Sequence, residues 1–269
     1  MTPTLPFKKV SDMAHWTAYD PAENFPATAA SVKENWTRLH ASDREPLPTS
    51  AKVLAAWVHF HRGEFEKAAQ AGLKLGAEGV TVANKATCVY ASYLEPSERQ
   101  RLALFQEVAQ RATEQTLAEP NNPNAHYWQA YALAQYSHGI SVAKALAQGI
   151  GSKVKVALEK TIALEPLHVD AHLALGTFHA EVIDKVGALI GSMTYGAKKE
   201  TSLALLERAM ELAPKSAMAM VEMANALVML EGDARAAEAT ALYDKAARTQ
   251  PMDAMEQLAM AMAQTEDND

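Results

Sequence analysis

The chain has 269 residues, 49% of them hydrophobic but only 7% aromatic, and 53 are alanine. Small side chains must supply much of the packing, and with only 12 glycines and 12 prolines the composition favours closely packed helices over the many turns of a sandwich or barrel. A net charge of -7 argues against a dedicated nucleic-acid binder, and a single cysteine, Cys88, excludes an internal disulfide framework or a Cys-rich zinc site.

The first residues, Met1-Thr-Pro-Thr-Leu-Pro-Phe-Lys-Lys-Val10, lack the apolar core of a secretory signal, and no uninterrupted apolar run of about 18 residues follows. The expectation is a cytoplasmic protein. Residues 1–48 form an N-terminal arm, because Pro3, Pro6, Pro21, Pro26, Pro46 and Pro48 interrupt every helical pattern except one around Ser31–His40. Its Trp16, Tyr19, Phe25 and Trp36 should lie against the first helices, since four large rings are costly to leave in water.

From Thr49 onward the pattern is helical and repetitive. Leu117-Ala-Glu-Pro120, Ala163-Leu-Glu-Pro166, Glu211-Leu-Ala-Pro214 and Arg248-Thr-Gln-Pro251 each close a helix with proline. Turn residues and a fresh helix follow the first three. One helix, a turn, a second helix and a proline stop make a unit that cannot bury its apolar face alone, so such units must stack.

These residues resemble the tetratricopeptide (TPR) repeat family. Ala56, Gly63, Phe65 and Ala68 match its small residue, turn glycine, aromatic and alanine; Leu175-Gly176 matches the Leu-Gly pair of the first helix; Tyr243, Ala246 and Pro251 match the close of the second. The resemblance covers residues 49–251 and implies an all-α, right-handed superhelical solenoid of about five helix pairs. Residues 252–269 are then a helix end and an acidic tail. The stop prolines lie 46, 48 and 37 residues apart, so units three and four carry inserts, at 139–151 and 186–196. Paired inserts following Ala125-His-Tyr-Trp128 are similar to a subgroup that includes regulator-of-microtubule-dynamics-like and TRAP-transporter-associated TPR proteins.

Chemistry-bearing patterns are few. His168, His172 and His179 share one helical face, as metal ligands often do, but His172 and His179 occupy packing positions of the family's first helix, and neither a metal site nor a cofactor is expected. Cys88, flanked by apolar residues, reads as a small buried hydrophobe. No nucleophile elbow or phosphate-cradling loop is present, so the chain is expected not to be an enzyme.

The family's concave wall, carried onto this chain, includes Trp57, Phe60, His61, Tyr127, Tyr131, Glu181 and Asn225 as partner-binding positions. The leading expectation is a non-enzymatic scaffold that binds another protein there, against the alternative that the arm or the inserts already cover those residues. The inserts bear Lys144, Lys153, Lys155, Lys185, Lys198 and Lys199 with no acid between Gly139 and Leu158 or between Lys185 and Lys199, a local reversal of charge suited to an anionic partner or ligand. An apolar or lipid-like small molecule carried in a pocket formed by the inserts is the second reading, and contact with an anionic membrane the third and least favoured.

Overall fold

The computed structural model describes residues 16–19, 25–251 and 253–266, and every regular element among them is helical. The expectations placed on Pro3, Pro6, Pro21 and the last three acidic-tail residues lie outside the described residues. In the arm, α1 (Ala29–Glu34) begins at a reciprocal cap: the Thr28 hydroxyl accepts from Ser31 N, and the Ser31 hydroxyl accepts from Thr28 N. A short α2 (Trp36–Leu39) follows.

Five antiparallel pairs come next: α3 (Ala51–His61) with α4 (Phe65–Lys74), α5 (Val80–Tyr93) with α6 (Glu98–Ala118), then α7 (Pro123–His138), separated by α8 (Val142–Ala147) from its mate α9 (Ile150–Leu164). In the fourth, α10 (Val169–Val186) is separated by α11 (Ala188–Tyr195) from α12 (Lys199–Leu212); in the fifth, α13 (Ala217–Glu231) pairs with α14 (Ala236–Ala247). This is an all-α helical solenoid.

Local chemistry sets the punctuation. Pro120, Pro166 and Pro214 each stand two residues past a helix end, where an imino acid cannot continue the ladder. The next helix then starts from a side-chain cap. Asn122 accepts from Asn124 N and Ala125 N with Pro123 in the first turn, His168 accepts from Ala171 N, and Ser216 from Ala219 N. Between α4 and α5 the chain needs backbone against backbone: a Cβ on Gly72 or Gly79 would collide with the carbonyl oxygen of the other.

The core runs continuously through the first three units and into the fourth, with Trp57, Phe60, Tyr90, Leu104, Phe105 and Leu158 fully buried; Leu206 and Leu227 anchor a second cluster in units four and five. The arm joins the first cluster. Trp16 stacks on Tyr90 at 4.1 Å, Tyr19 meets Phe65 at 6.1 Å, Trp36 meets Trp57 edge-on at 5.8 Å, and Phe25 packs against the same cluster.

Beyond the fifth unit, residues 254–266 form α15 (Ala254–Glu266), which packs on α13 and α14 and also on α3 and α5. Ala254 and Leu258 belong to the same core cluster as Trp57. The last helix thus returns to the first two units, a contact that a purely nearest-neighbour array lacks.

Candidate functional site

The stretch from Trp36 to Glu45 lies along the wall made by the first helices α3, α5, α7 and α10. Trp36 and His40, four apart, share a face and stack at 4.0 Å, and His40 meets Trp57 edge-on at 4.6 Å. The Trp36 indole N–H donates to Glu45 O at 2.8 Å, folding the segment back on itself. Asp43 then enters the wall: Lys85 Nζ donates to its Oδ2 at 2.6 Å and His40 Nδ1 lies 2.9 Å from its Oδ1. Asp170 N donates to Ser42 O at 3.2 Å, and Asn124 donates to Glu45 Oε2 at 2.6 Å.

Behind these contacts the polar groups chain together. The remaining face of Asn124 meets His168 Nε2 at 3.0 Å; His61 lies with Nε2 3.3 Å from His40 Nε2 and Nδ1 2.7 Å from Asp253 Oδ2. One network therefore links the arm, units one to four and the segment entering α15.

Electrostatics sorts the carboxyls into two kinds. Burial alone would raise Asp43, but Lys85 and His40 outweigh it and hold its carboxyl well below the usual range; Asp253 is lowered in the same sense by His61. Glu45 is pushed up to about 8 by burial and then by the Asp43 charge, and Asp170 to about 7 by the same two causes, with Lys85 opposing. His168 is driven down to about 4, chiefly by burial. Lys85 and Asp43 are both buried, so removing either leaves an uncompensated charge in the interior.

The partner-binding positions read from the sequence do not form one open site. Trp57, Phe60 and His61 are buried under the arm and against Phe65, so they present no free surface. Tyr127 is buried beside His168. Tyr131 is half-buried, its hydroxyl 2.8 Å from that of Ser92. Glu181 bridges two helices, meeting His138 Nε2 at 3.0 Å and Lys185 Nζ at 2.9 Å; burial would raise it, but those partners bring it down to about 2. Asn225 turns toward its own unit, where its oxygen accepts from the Tyr243 hydroxyl.

Of the insert lysines, Lys155, Lys185 and Lys199 pair with Glu159, Glu181 and Glu231, and Lys144 lies over the Tyr136 ring at 5.6 Å. Lys153 and Lys198 have no ion pair among the described residues. Nor do the three histidines converge. His168 serves Asn124 and a helix cap, His172 Nδ1 donates to His168 O, and His179 accepts from Lys198 N.

Two clefts stand out. One, of about 180 Å³, lies between the arm and the start of α15 and is lined by Phe25, Val32, Leu39, His61 and Asp253; the other, of about 240 Å³, lies among Ser92, Arg101, Leu102, Gln135 and His138. Only Gly139 of the inserts touches either, so neither of these two spaces is enclosed by the inserts. Cys88 is buried, and burial pushes its thiol up, away from nucleophilic use.

Sequence reasoning missed Asp43, Glu45, Lys85, Asn124 and Asp170. One signal was available: Lys85 is the only charged residue between Glu78 and Glu95, a lone cation in a helix of small and apolar side chains.

The model of the regulator of microtubule dynamics protein 1-3 family matches residues 77–266, most of the chain. The chain belongs to that family. No curated protein matches its sequence. Among solved structures, TTC0263, a thermophilic TPR protein of Thermus thermophilus, is similar with a TM-score of 0.56 at 15% identity, covering 80% of this chain and 97% of that one. The MamA protein is similar with a TM-score of 0.41 at 15% identity, over 72% of this chain and 87% of that one. This member of the regulator of microtubule dynamics family shares its stacked helical fold with TTC0263. Within the family match lie both inserts, Lys85, Asn124, Asp170 and α15.

Proposed function

We propose that this protein is a non-enzymatic scaffold that holds a segment of another protein against the first-helix wall of its later units. The observation that carries this reading is the arm itself. A peptide stretch from Trp36 to Glu45 lies on that wall through edge-on ring contacts with Trp57, a buried aspartate–lysine pair and a backbone hydrogen bond to Ser42 O. A wall that reads one folded-back segment in this way has the chemistry to read another.

Beyond the arm, units three to five offer Tyr131, Glu181 and Asn225, with Thr177 donating to Glu222 at 2.7 Å between them. The family's description, regulation of microtubule dynamics, names a role exercised on a protein polymer and accords with a protein partner. The reading places the protein in the cytoplasm, where its single thiol stays reduced. No described helix is long and apolar enough to cross a membrane.

The test is affinity capture with the full chain and with Tyr131→Ala and Glu181→Ala, read by quantitative mass spectrometry, with thermal melts to confirm folding. A partner whose recovery falls about tenfold with both folded variants supports the wall as its seat. Recovery unchanged by either substitution overturns it.

A further inference from the structure

We propose that the two inserts form a docking face for an anionic lipid bilayer, separate from the concave wall. Both inserts join the first helix of a unit to its second, and in a stack of antiparallel pairs all such turns fall on one edge. The two are in contact: a Cβ on Gly151, in the first turn of α9, would lie 2.7 Å from the ring of Tyr195, at the end of α11.

Five of the eleven large apolar side chains left exposed among the described residues sit on these two short helices: Val142 at 60%, Leu146 at 50%, Leu189 at 74%, Ile190 at 58% and Met193 at 80%. Val142 and Leu146 are four apart, as are Leu189 and Met193, so each helix turns an apolar edge outward. No residue of α8 is buried and only Gly191 of α11 is, so both helices protrude.

Charge selects the occupant. The protein carries -7 overall, yet 139–158 and 185–199 contain six lysines and no acid. Glu159, Glu181 and Glu231 neutralise three of them, leaving Lys144, Lys153 and Lys198 around the apolar edge, while Asp184 and Glu200 flank the second insert on either side. A second copy would set lysines against lysines, and a protruding ridge offers no groove for a partner helix. An anionic bilayer meets both features: apolar side chains enter the headgroup region while lysine stems lie along it and their ammonium groups reach the phosphates.

The experiment is flotation of the full chain with phosphatidylcholine vesicles, with and without phosphatidylserine, at low and at high salt. Two variants accompany it, Leu189→Glu with Met193→Glu, and Lys144→Glu with Lys153→Glu and Lys198→Glu; all these side chains are exposed, and circular dichroism checks the fold. The expected result is flotation with the anionic vesicles only, weakened by salt, and reduced about tenfold or more in both variants. Failure of the folded wild type to float, or equal flotation of the variants, overturns the proposal. So does a dimer in sedimentation velocity that Leu189→Glu abolishes, since that would assign the face to a second copy.

Discussion

Glu45, half-buried against the wall and near the Asp43 charge, has its carboxyl pushed up to about 8, toward holding a proton that an ordinary glutamate has lost at neutral pH. Glu45, raised from 4.5 to about 8, and Asp170, raised from 3.8 to about 7, bind protons in the folded protein that the unfolded chain releases. Their stabilising contribution is complete below the unfolded values and is lost as pH rises through the folded ones. His168, lowered from 6.5 to about 4, and His40, lowered by burial, act in the opposite sense and lose theirs as pH falls below 6.5. Asp43 and Asp253 stay ionised until stronger acid. Stability should therefore fall by about 2–3 kcal/mol from about pH 6.5 to about pH 8.5, and Glu45→Gln should flatten that alkaline limb. Urea midpoints at the two pH values check it. A wild-type midpoint at alkaline pH equal to or above the acid one contradicts the assignment.

Among the elements, the fourth unit shows what the Leu-Gly pair is for. A Cβ on Gly176 would fall 2.7 Å from Leu206 Cγ and 3.2 Å from Ser202 O, while the Ser202 hydroxyl donates to Gly176 O at 2.7 Å. Glycine there lets α10 and α12 approach until a side chain touches backbone, and it offsets the propensity lost by having no Cβ in a helix. Gly176→Ala should destabilise by about 1–2 kcal/mol through overpacking, and by clearly less in a Leu206→Ala background, where the tightest contact is gone and only that with Ser202 O remains. A double-mutant cycle in urea measures this; equal costs in both backgrounds would show that the close approach is not the reason. The match of Gly176 to the family pattern was legible because it is a backbone requirement tied to one position. The outward aim of α11 was not, since a run such as Ala188-Leu-Ile-Gly-Ser-Met193 suits a buried helix equally well.

At the scale of the molecule, α15 converts a linear array into a closed one. Its Ala254 and Leu258 share a core cluster with Trp57, and Asp253 at its entry holds His61 of the first unit. Tyr19 of the arm also donates to Gln257 at 2.6 Å. Ending the chain at Pro251 should therefore loosen the first two units, not only the fifth. Amide hydrogen exchange in α3 and α5 is expected to accelerate by at least about tenfold, at a cost of about 1.4 kcal/mol or more. Acceleration confined to α13 and α14 would mean that units one and two do not depend on the closure.

The amino-acid sequence determined this protein's helices, their pairing and their stops, because caps, prolines and apolar spacing act over a few residues. It also located the arm's rings, since Trp16, Tyr19, Phe25 and Trp36 had to find cover somewhere. Which surface they would cover was decided only in three dimensions. Seating Trp36 and Asp43 on α3 and α5 buried Trp57 and His61, and it joined Asp43 to Lys85 across 42 positions of chain. Return of α15 brought Asp253 to His61 across 192. Such pairings depend on how five units curve together, a sum of small packing rotations that no local pattern records.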